Sequence, residues 1–123
     1  MASITVLIGE PPYGKERVYS AFRFAPAARF EGHDVNVFLL EDAVLAAKKG
    51  QNPVNVQGLL DGKMPHCGEL LAEVIKQGGV VKCCGVCCSE RGLAQAEVLD
   101  GIQIASMRDL VQWVVESDKF VSF

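Results

Sequence analysis

Short apolar runs along the chain alternate with stretches in which apolar residues recur every three or four positions. The runs predict five strands, at Ile4–Ile8, Val35–Leu40, Val80–Cys83, Ile102–Ala105 and Phe120–Phe123. The helical spacing predicts helices over about 15–29, 41–49, 65–77 and 89–98, and one that begins at Ser106. Mostly apolar strands that alternate with helices are typical of a parallel sheet covered on both faces. We therefore predict an α/β three-layer sandwich with a mainly parallel five-stranded sheet and helices on both faces.

The ends of the predicted helices carry local signals. Gly32 stands where a helix C-terminus favours glycine, and Pro26 predicts a kink or an early break in the helix over 15–29. Ser106, followed three residues later by Asp109, is close to a capping box at the start of the last helix. The side chains that this last helix is expected to bury are Leu110, Trp113 and Val114.

Length and composition narrow the class of protein. Half of the 123 residues are apolar, which fits one domain over 1–123 and indicates that some apolar surface is covered in a homo-oligomer. The net charge is −3 and the basic residues are scattered, so we expect no direct nucleic-acid binding. No apolar run reaches the roughly 18–20 residues of a membrane span, and the N-terminus does not resemble a signal peptide. We therefore expect a cytoplasmic protein with no membrane contact.

Cysteines are the strongest chemical signal in the sequence. Four of the five lie within six positions, namely Cys83, Cys84, Cys87 and Cys88. An odd number of cysteines in a reducing compartment argues against a disulfide framework. The C-x-x-C of Cys84 and Cys87 lies between a predicted strand and a predicted helix, where the helix dipole and the charges of Lys82 and Arg91 would favour thiolate. We predict that Cys84 is the reactive thiol and that Cys83, inside the strand, is a small buried hydrophobe.

Three segments follow the carboxyl ends of predicted strands, where parallel sheets bind ligands. They are Gly9–Gly14, Glu41-Asp42 and a cysteine loop over Cys84–Ser89, and they should meet at one edge of the sheet. The first resembles a phosphate-binding loop, but Glu16 replaces the Ser or Thr that would hold magnesium, so nucleotide hydrolysis is rejected. The residues expected to line the substrate pocket are Gly9, Pro12, Tyr13, Gly14, Asp42 and Arg91.

A zinc site is the alternative use of the cysteines. Cys84, Cys87, Cys67 and His66 are all competent ligand types. Structural zinc sites usually combine two closely spaced ligand pairs, and the neighbours His66 and Cys67 would chelate a tetrahedral ion awkwardly. We therefore predict no metal and no cofactor, and the zinc site stays open as the minor interpretation.

Several motifs also follow one another in order along nearly the whole chain. They are Gly9–Gly14, Phe38–Val44 with Lys49–Gln51, Cys84-x-x-Cys87-x-x-x-Arg91-Gly92, and Trp113 with Ser117–Phe123. This ordered set resembles the DsrE/DsrF-like sulfur-relay family, and its YchN-like branch most closely.

The resemblance implies a parallel five-stranded sandwich that forms trimers or hexamers and works with a sulfur-donor or sulfur-acceptor protein. It aligns the acceptor cysteine of the family with Cys84, eight residues before Gly92, and the second cysteine of the YchN-like branch with Cys87. Cys83 and Cys88 depart from the family pattern and leave open which thiol is the acceptor.

Three functions are compatible with these observations. The first is a sulfur carrier or sulfurtransferase-like subunit that accepts sulfane sulfur as a persulfide on Cys84, which Cys87 could then resolve. The second is a dithiol redox protein that uses Cys84 and Cys87, although the surroundings of thioredoxin-like motifs are missing. The third is a non-catalytic binding or assembly module with structural, zinc-binding or metal-free cysteines. The sequence leaves open whether the chain turns over as an enzyme or only carries sulfur.

Overall fold

The computed structural model describes residues 1–13, 16–51 and 67–123. Within them the strands are β1 (Ser3–Ile8), β2 (Asp34–Leu39), β3 (Val80–Cys84), β4 (Ile102–Ala105) and β5 (Lys119–Ser122). The α-helices are α1 (Arg17–Phe30), α2 (Cys67–Lys76), α3 (Gly85–Glu90) and α4 (Met107–Glu116), and 3₁₀ helices span Glu41–Ala47 and Gln95–Glu97. The strands form one sheet in the order β4-β3-β2-β1-β5, and every pairing is parallel. The predicted α/β fold is confirmed.

The order of the strands decides which helices cover which face. From β1 to β4 the chain moves outward in one direction, and it then returns to place β5 beside β1. Because parallel crossovers are right-handed, helices on the outward path and on the return path lie on opposite faces. The helices α1 and α2 pack against each other on the outward path. On the return path α4 packs on the other face, where the rings of Trp113 and Phe38 meet edge-on with centroids 6.1 Å apart.

Alternation along the strands gives the two faces different side chains. We call the face under α1 and α2 the covered face, and its side chains are Ile4, Val6, Ile8, Val35, Val37, Leu39, Val81 and Cys83. We call the face under α4 the open face, and its side chains include Thr5, Asn36, Phe38, Val80, Lys82, Gln103 and Phe120. Over β1, β2 and β3 the covered face is wholly apolar and buried, whereas the open face is mixed.

The helix α1 forms as one unbroken element. Pro26 lies inside it, so the predicted early break is wrong. A proline removes one intrahelical hydrogen bond, but the buried residues Ala25 and Ala28 keep the helix packed on the covered face. Gly32 ends the helix as predicted, with φ of +91°, and its N–H donates to the carbonyl of Arg29 at 2.9 Å.

Three other helix predictions need correction. The segment after β2 is helical, as predicted, but of the 3₁₀ type. The helix predicted over 89–98 is wrong, because α3 begins at Gly85 and ends at Glu90. Glycine, valine and cysteine have low helix propensity, so this start carries no local signal. Val114 of α4 is 38% exposed rather than buried, while Leu110 is buried and Trp113 is half-buried.

The predicted start of the helix near Pro65 lies outside the described residues, and α2 is described from Cys67. Among the residues that the structure describes, no helix has both the length and the apolar character needed to cross a membrane.

Candidate functional site

The carboxyl ends of β1, β2 and β3 lie side by side at one edge of the sheet. Ile8 is in register with Leu39, and Leu39 is in register with Cys83. Gly9, Glu41 and Cys84 follow at this shared edge, so the predicted meeting of the three segments is confirmed. The third segment is the helix α3, however, and not the predicted loop.

Cys84 and Cys87 lie at the junction of β3 and α3, and we call them the rim pair. Cys84 is the last residue of β3 and the N-cap of α3, and Cys87 lies in the first turn of that helix. The Cys84 thiol is near enough to Cys87 to raise the pKa of that thiol. Cys84 is 4% exposed and Cys87 is 8% exposed. Both residues of the rim pair are therefore buried, and they belong to the hydrophobic core at this edge of the sheet.

Gly85 lets α3 start at this position. A Cβ atom on Gly85 would lie 3.2 Å from the carbonyl oxygen of Ala105, at the end of β4. Few real Cβ atoms come that close to another atom. The glycine between the strand and the helix thus keeps the rim pair close against the sheet, a role that the sequence analysis missed.

Glu41 supplies a backbone contact that the sequence analysis also missed. Its N–H donates to Sγ of Cys87 at 3.0 Å. Its φ is +54°, and among the described residues it is the only one besides glycines with a positive φ. Such a backbone conformation is strained for glutamate and is held by its surroundings. No pattern in the sequence predicts a left-handed glutamate at this position.

Arg91 joins two of the segments at this edge. Its Nε and Nη2 donate to Oδ1 of Asp42 at 3.1 and 2.7 Å. Its Nη1 donates to the carbonyl oxygen of Cys87 at 3.1 Å. The structure therefore brings the predicted pocket residues Asp42 and Arg91 together beside the rim pair. Gly9 belongs to the same group, because a Cβ atom there would lie 3.6 Å from Oε1 of Glu41.

The remaining pocket candidates lie on the first loop. Tyr13 is exposed, and its hydroxyl donates to Oε1 of Gln51. Partial burial, and then the nearby Cys67, raise the pKa of Tyr13. Pro12 is half-buried in the same loop. Gly14 and His66 lie outside the described residues, so the role predicted for Gly14 stays a prediction.

The electrostatics at Cys87 do not favour a thiolate. Burial, and then the nearby Cys84 thiol, raise the pKa of Cys87. The N–H of Glu41 and the charge of Arg91 act in the opposite direction but do not outweigh burial. Lys82 was expected to help, but its Nζ lies on the open face, 4.8 Å from the centroid of the Trp113 ring and 4.0 Å from Oδ1 of Asp109. Cys87 is therefore a protonated thiol at neutral pH.

Cys83 and Cys88 flank the rim pair in the chain and are less exposed than it, and we call them the inner pair. Their Sγ atoms are 3.7 Å apart, with the Cys88 thiol donating to Cys83. The Cys83 thiol donates in turn to the carbonyl oxygen of Gln103 at 3.9 Å. Burial raises the pKa of both thiols. The prediction that Cys83 is buried in the core is confirmed.

Cys67, the fifth cysteine, is half-buried at the start of α2. Burial raises its pKa to about 11. Over 1–13, 16–51 and 67–123, no three His, Cys, Asp or Glu side chains are grouped so that they could hold a metal ion. The zinc interpretation also used His66, which lies outside those ranges.

Comparison with known proteins agrees with the family resemblance. The sequence profile of the DsrE/DsrF-like family matches residues 2–123. An uncharacterized protein of Methanocaldococcus jannaschii, MJ0989, is 50% identical over 119 residues, which is 97% of each chain. The protein YchN of Escherichia coli is 30% identical over the full length of both chains, and its crystal structure superposes with a TM-score of 0.88.

A more distant relative carries a functional name. Sulfurtransferase TusD of Pectobacterium carotovorum is 27% identical over 135 residues, and the match covers all of both chains.

Proposed function

We propose that this chain, which belongs to the DsrE/DsrF-like family, is a sulfur carrier or sulfurtransferase-like subunit. In this proposal Cys84 is the persulfide acceptor. At the coarse level of sulfur relay, the family and the full-length relative named as a sulfurtransferase support this function. The observation that carries the assignment to residues is the rim pair at the carboxyl edge, with the N–H of Glu41 donating to Cys87.

The proposed chemistry begins when the thiolate of Cys84 attacks the sulfane sulfur of a persulfide or polysulfide. The S–S bond of the donor breaks, the shortened donor leaves with the electron pair, and Cys84 becomes a persulfide. A partner thiol can then remove the outer sulfur. Alternatively, the thiolate of Cys87 attacks Sγ of Cys84 and expels hydrosulfide, which leaves a disulfide between the two cysteines.

Glu41 and Arg91 support the second half of this reaction. Cys87 must lose its proton before it can attack, and the N–H of Glu41 at 3.0 Å favours the resulting thiolate. Arg91 is fixed to the carbonyl oxygen of Cys87 and to Asp42, so its positive charge stays near the same sulfur. These contacts offset part of the burial that raises the pKa of Cys87.

The test is the gain of sulfur on one named cysteine. Reduced protein is incubated with inorganic polysulfide, desalted, and examined by intact mass and peptide mapping. The parent chain is expected to gain sulfur on Cys84 or to form the Cys84–Cys87 disulfide. Cys84→Ala is expected to do neither, whereas Cys67→Ala, a matched control outside both pairs, should react like the parent. An equal gain of sulfur by Cys84→Ala would show that the acceptor is another thiol.

A dithiol redox role is the second candidate, and the position of two mutually interacting thiols at one strand–helix junction favours it. Reduction of insulin, with thioredoxin as the comparator, separates the two. Thioredoxin-like rates would favour the redox role, and rates near the uncatalysed level would favour sulfur transfer.

Assembly into a trimer or hexamer is part of the proposal. It is supported by the apolar side chains that α4 and β5 expose, which are Met107, Val111, Val114, Val115 and Phe120. Burial of such a patch between copies would remove apolar surface from water. A sulfur-donor or sulfur-acceptor protein would then meet the assembly at the edge that carries the rim pair.

A further inference from the structure

The inner pair has no part in the reaction proposed above, yet it is built like a dithiol. Cys83 and Cys88 are 0% and 1% exposed, and a sulfur–sulfur hydrogen bond of 3.7 Å joins them. Packing alone would be satisfied by any small apolar side chains at these positions. Here two thiols in contact are the chain neighbours of a second pair of thiols.

We propose that the inner pair takes over the disulfide formed in the rim pair. Each reduced chain would then convert two sulfane sulfur atoms into sulfide before it needs an external reductant. This inference rests on the proposed function, because the disulfide between Cys84 and Cys87 is its starting point.

The transfer consists of two thiol–disulfide exchanges. The thiolate of Cys88 attacks Sγ of Cys84, which breaks the Cys84–Cys87 bond and releases Cys87 as a thiolate that takes up a proton. The thiolate of Cys83 then attacks Sγ of Cys88 and releases Cys84 in the same way. Two thiols are oxidised and two are regenerated, and two protons move from the inner pair to the rim pair.

The positions of the four cysteines suit this exchange. Cys83 precedes Cys84 in β3, and Cys88 follows Cys87 in α3, so one strand–helix junction carries all four sulfurs. The sulfurs act on one another electrostatically: Cys84 raises the pKa of Cys88, and both rim thiols raise that of Cys83.

Burial gives the transfer its direction. Exposed disulfides are reduced more readily than buried ones, and the inner pair is less exposed than the rim pair, so the oxidised inner pair is expected to be the more stable product. The rim pair would then be free to accept a second sulfur atom.

The experiment uses the Cys67→Ala chain, so that four cysteines in two pairs remain. One equivalent of inorganic polysulfide is added without oxygen, and samples are acid-quenched and alkylated over time before peptide mapping. Early samples should contain the Cys84–Cys87 disulfide and late samples the Cys83–Cys88 disulfide. With excess polysulfide, all four cysteines of this chain should resist alkylation. In Cys83→Ala or Cys88→Ala, tested in whichever of the two variants folds, only two cysteines should resist it.

Each other result overturns a different claim. A stable Cys84–Cys87 disulfide, with the inner thiols still alkylated, would overturn the inference and leave the proposed function standing. Oxidation of the inner pair at an undiminished rate in Cys84→Ala would overturn the transfer, because the inner pair would then react directly. No disulfide and no bound sulfur in any chain would overturn the proposed function itself.

Discussion

The two faces of the sheet are covered to different extents. On the covered face, α1 and α2 lie over apolar side chains such as Val6, Ile8 and Val37, and these are completely buried. On the open face, α4 lies over a surface that also contains Thr5, Asn36 and Lys82. Within the described ranges, the return crossover supplies one helix to this second face.

Because the two faces are covered differently, we expect one face to stabilise the fold and the other to bind further copies of the chain. The covered face has the composition and burial of a complete core, so it should contribute most of the folding free energy. The open face satisfies its polar groups locally, for example Thr5, whose hydroxyl donates to the carbonyl oxygen of Trp113 at 3.3 Å. Apolar side chains are still exposed on the outer surface of α4, where Val115 is 77% exposed.

The largest expected effect is the loss of a core side chain on the covered face. Phe22 of α1 is completely buried, and Phe22→Ala should lower the free energy of unfolding by about 3–5 kcal/mol. Urea unfolding followed by circular dichroism measures this change. Val115→Ala on the open side is the matched control, with an expected change within about 0.5 kcal/mol. Equal losses in both variants would contradict the contrast between the faces.

Assembly through the open face is tested by placing charge on it. Val111→Lys combined with Val115→Lys should convert the proposed trimer or hexamer into monomers, because buried lysines would lose their hydration. Light scattering coupled to size-exclusion chromatography gives the mass of the particle. Phe30→Lys, at an exposed position at the end of α1, is the control and should leave the mass unchanged. The idea fails if the double variant remains an oligomer.

Removing the cap of α4 should have a smaller effect. Oγ of Ser106 accepts the N–H of Asp109, and the carboxylate of Asp109 accepts the N–H of Ser106 at 2.8 Å. Ser106→Ala should cost about 1 kcal/mol of stability, and Ser106→Thr should restore most of it. Chemical denaturation of the three chains measures both changes. No loss in Ser106→Ala would mean that α4 is held by packing alone.

The smallest expected effect is a loss of amide protection on the open side at low pH. Hydrogen bonds from Ser106 lower the pKa of Asp109, and those from Ser3 lower the pKa of Asp118, in each case from an ordinary value of 3.8. A lowered pKa in the folded state gives stability that is present above pH 3.8 and disappears as the pH falls through the folded value. Amide protection in α4 and β5 should therefore fall as the pH drops below 3.8, before protection in α1 does. Asp109→Asn should remove the pH dependence of amide protection in α4.

Much of the fold could be predicted because its signals are local. Ile102–Ala105 is an apolar run that ends at a capping serine, and β4 and α4 follow it. Gly32 likewise ends α1 through its own backbone freedom. These features depend on a few neighbouring residues, which is the information that a single sequence contains.

The candidate site was predicted only in part because its decisive contacts join distant segments. Asp42 and Arg91 were named as pocket residues, but nothing local indicates that they pair across 49 positions. The start of α3 at Gly85 depends on close packing against the end of β4. Lys82 was placed beside the cysteines by its position in the sequence, yet strand alternation directs it to the open face.

Glu41 lies on a different stretch of chain from the four clustered cysteines, although its amide contacts one of them. Grafting the six residues from Cys83 to Cys88 onto another parallel sheet would transplant the sulfurs without the donor that faces Cys87. A designer who wished to move this reactivity would need to copy the left-handed turn after β2 as well. The smallest part of the structure that could be transferred with its reactivity is thus a pair of adjacent strand ends, and not a continuous sequence motif.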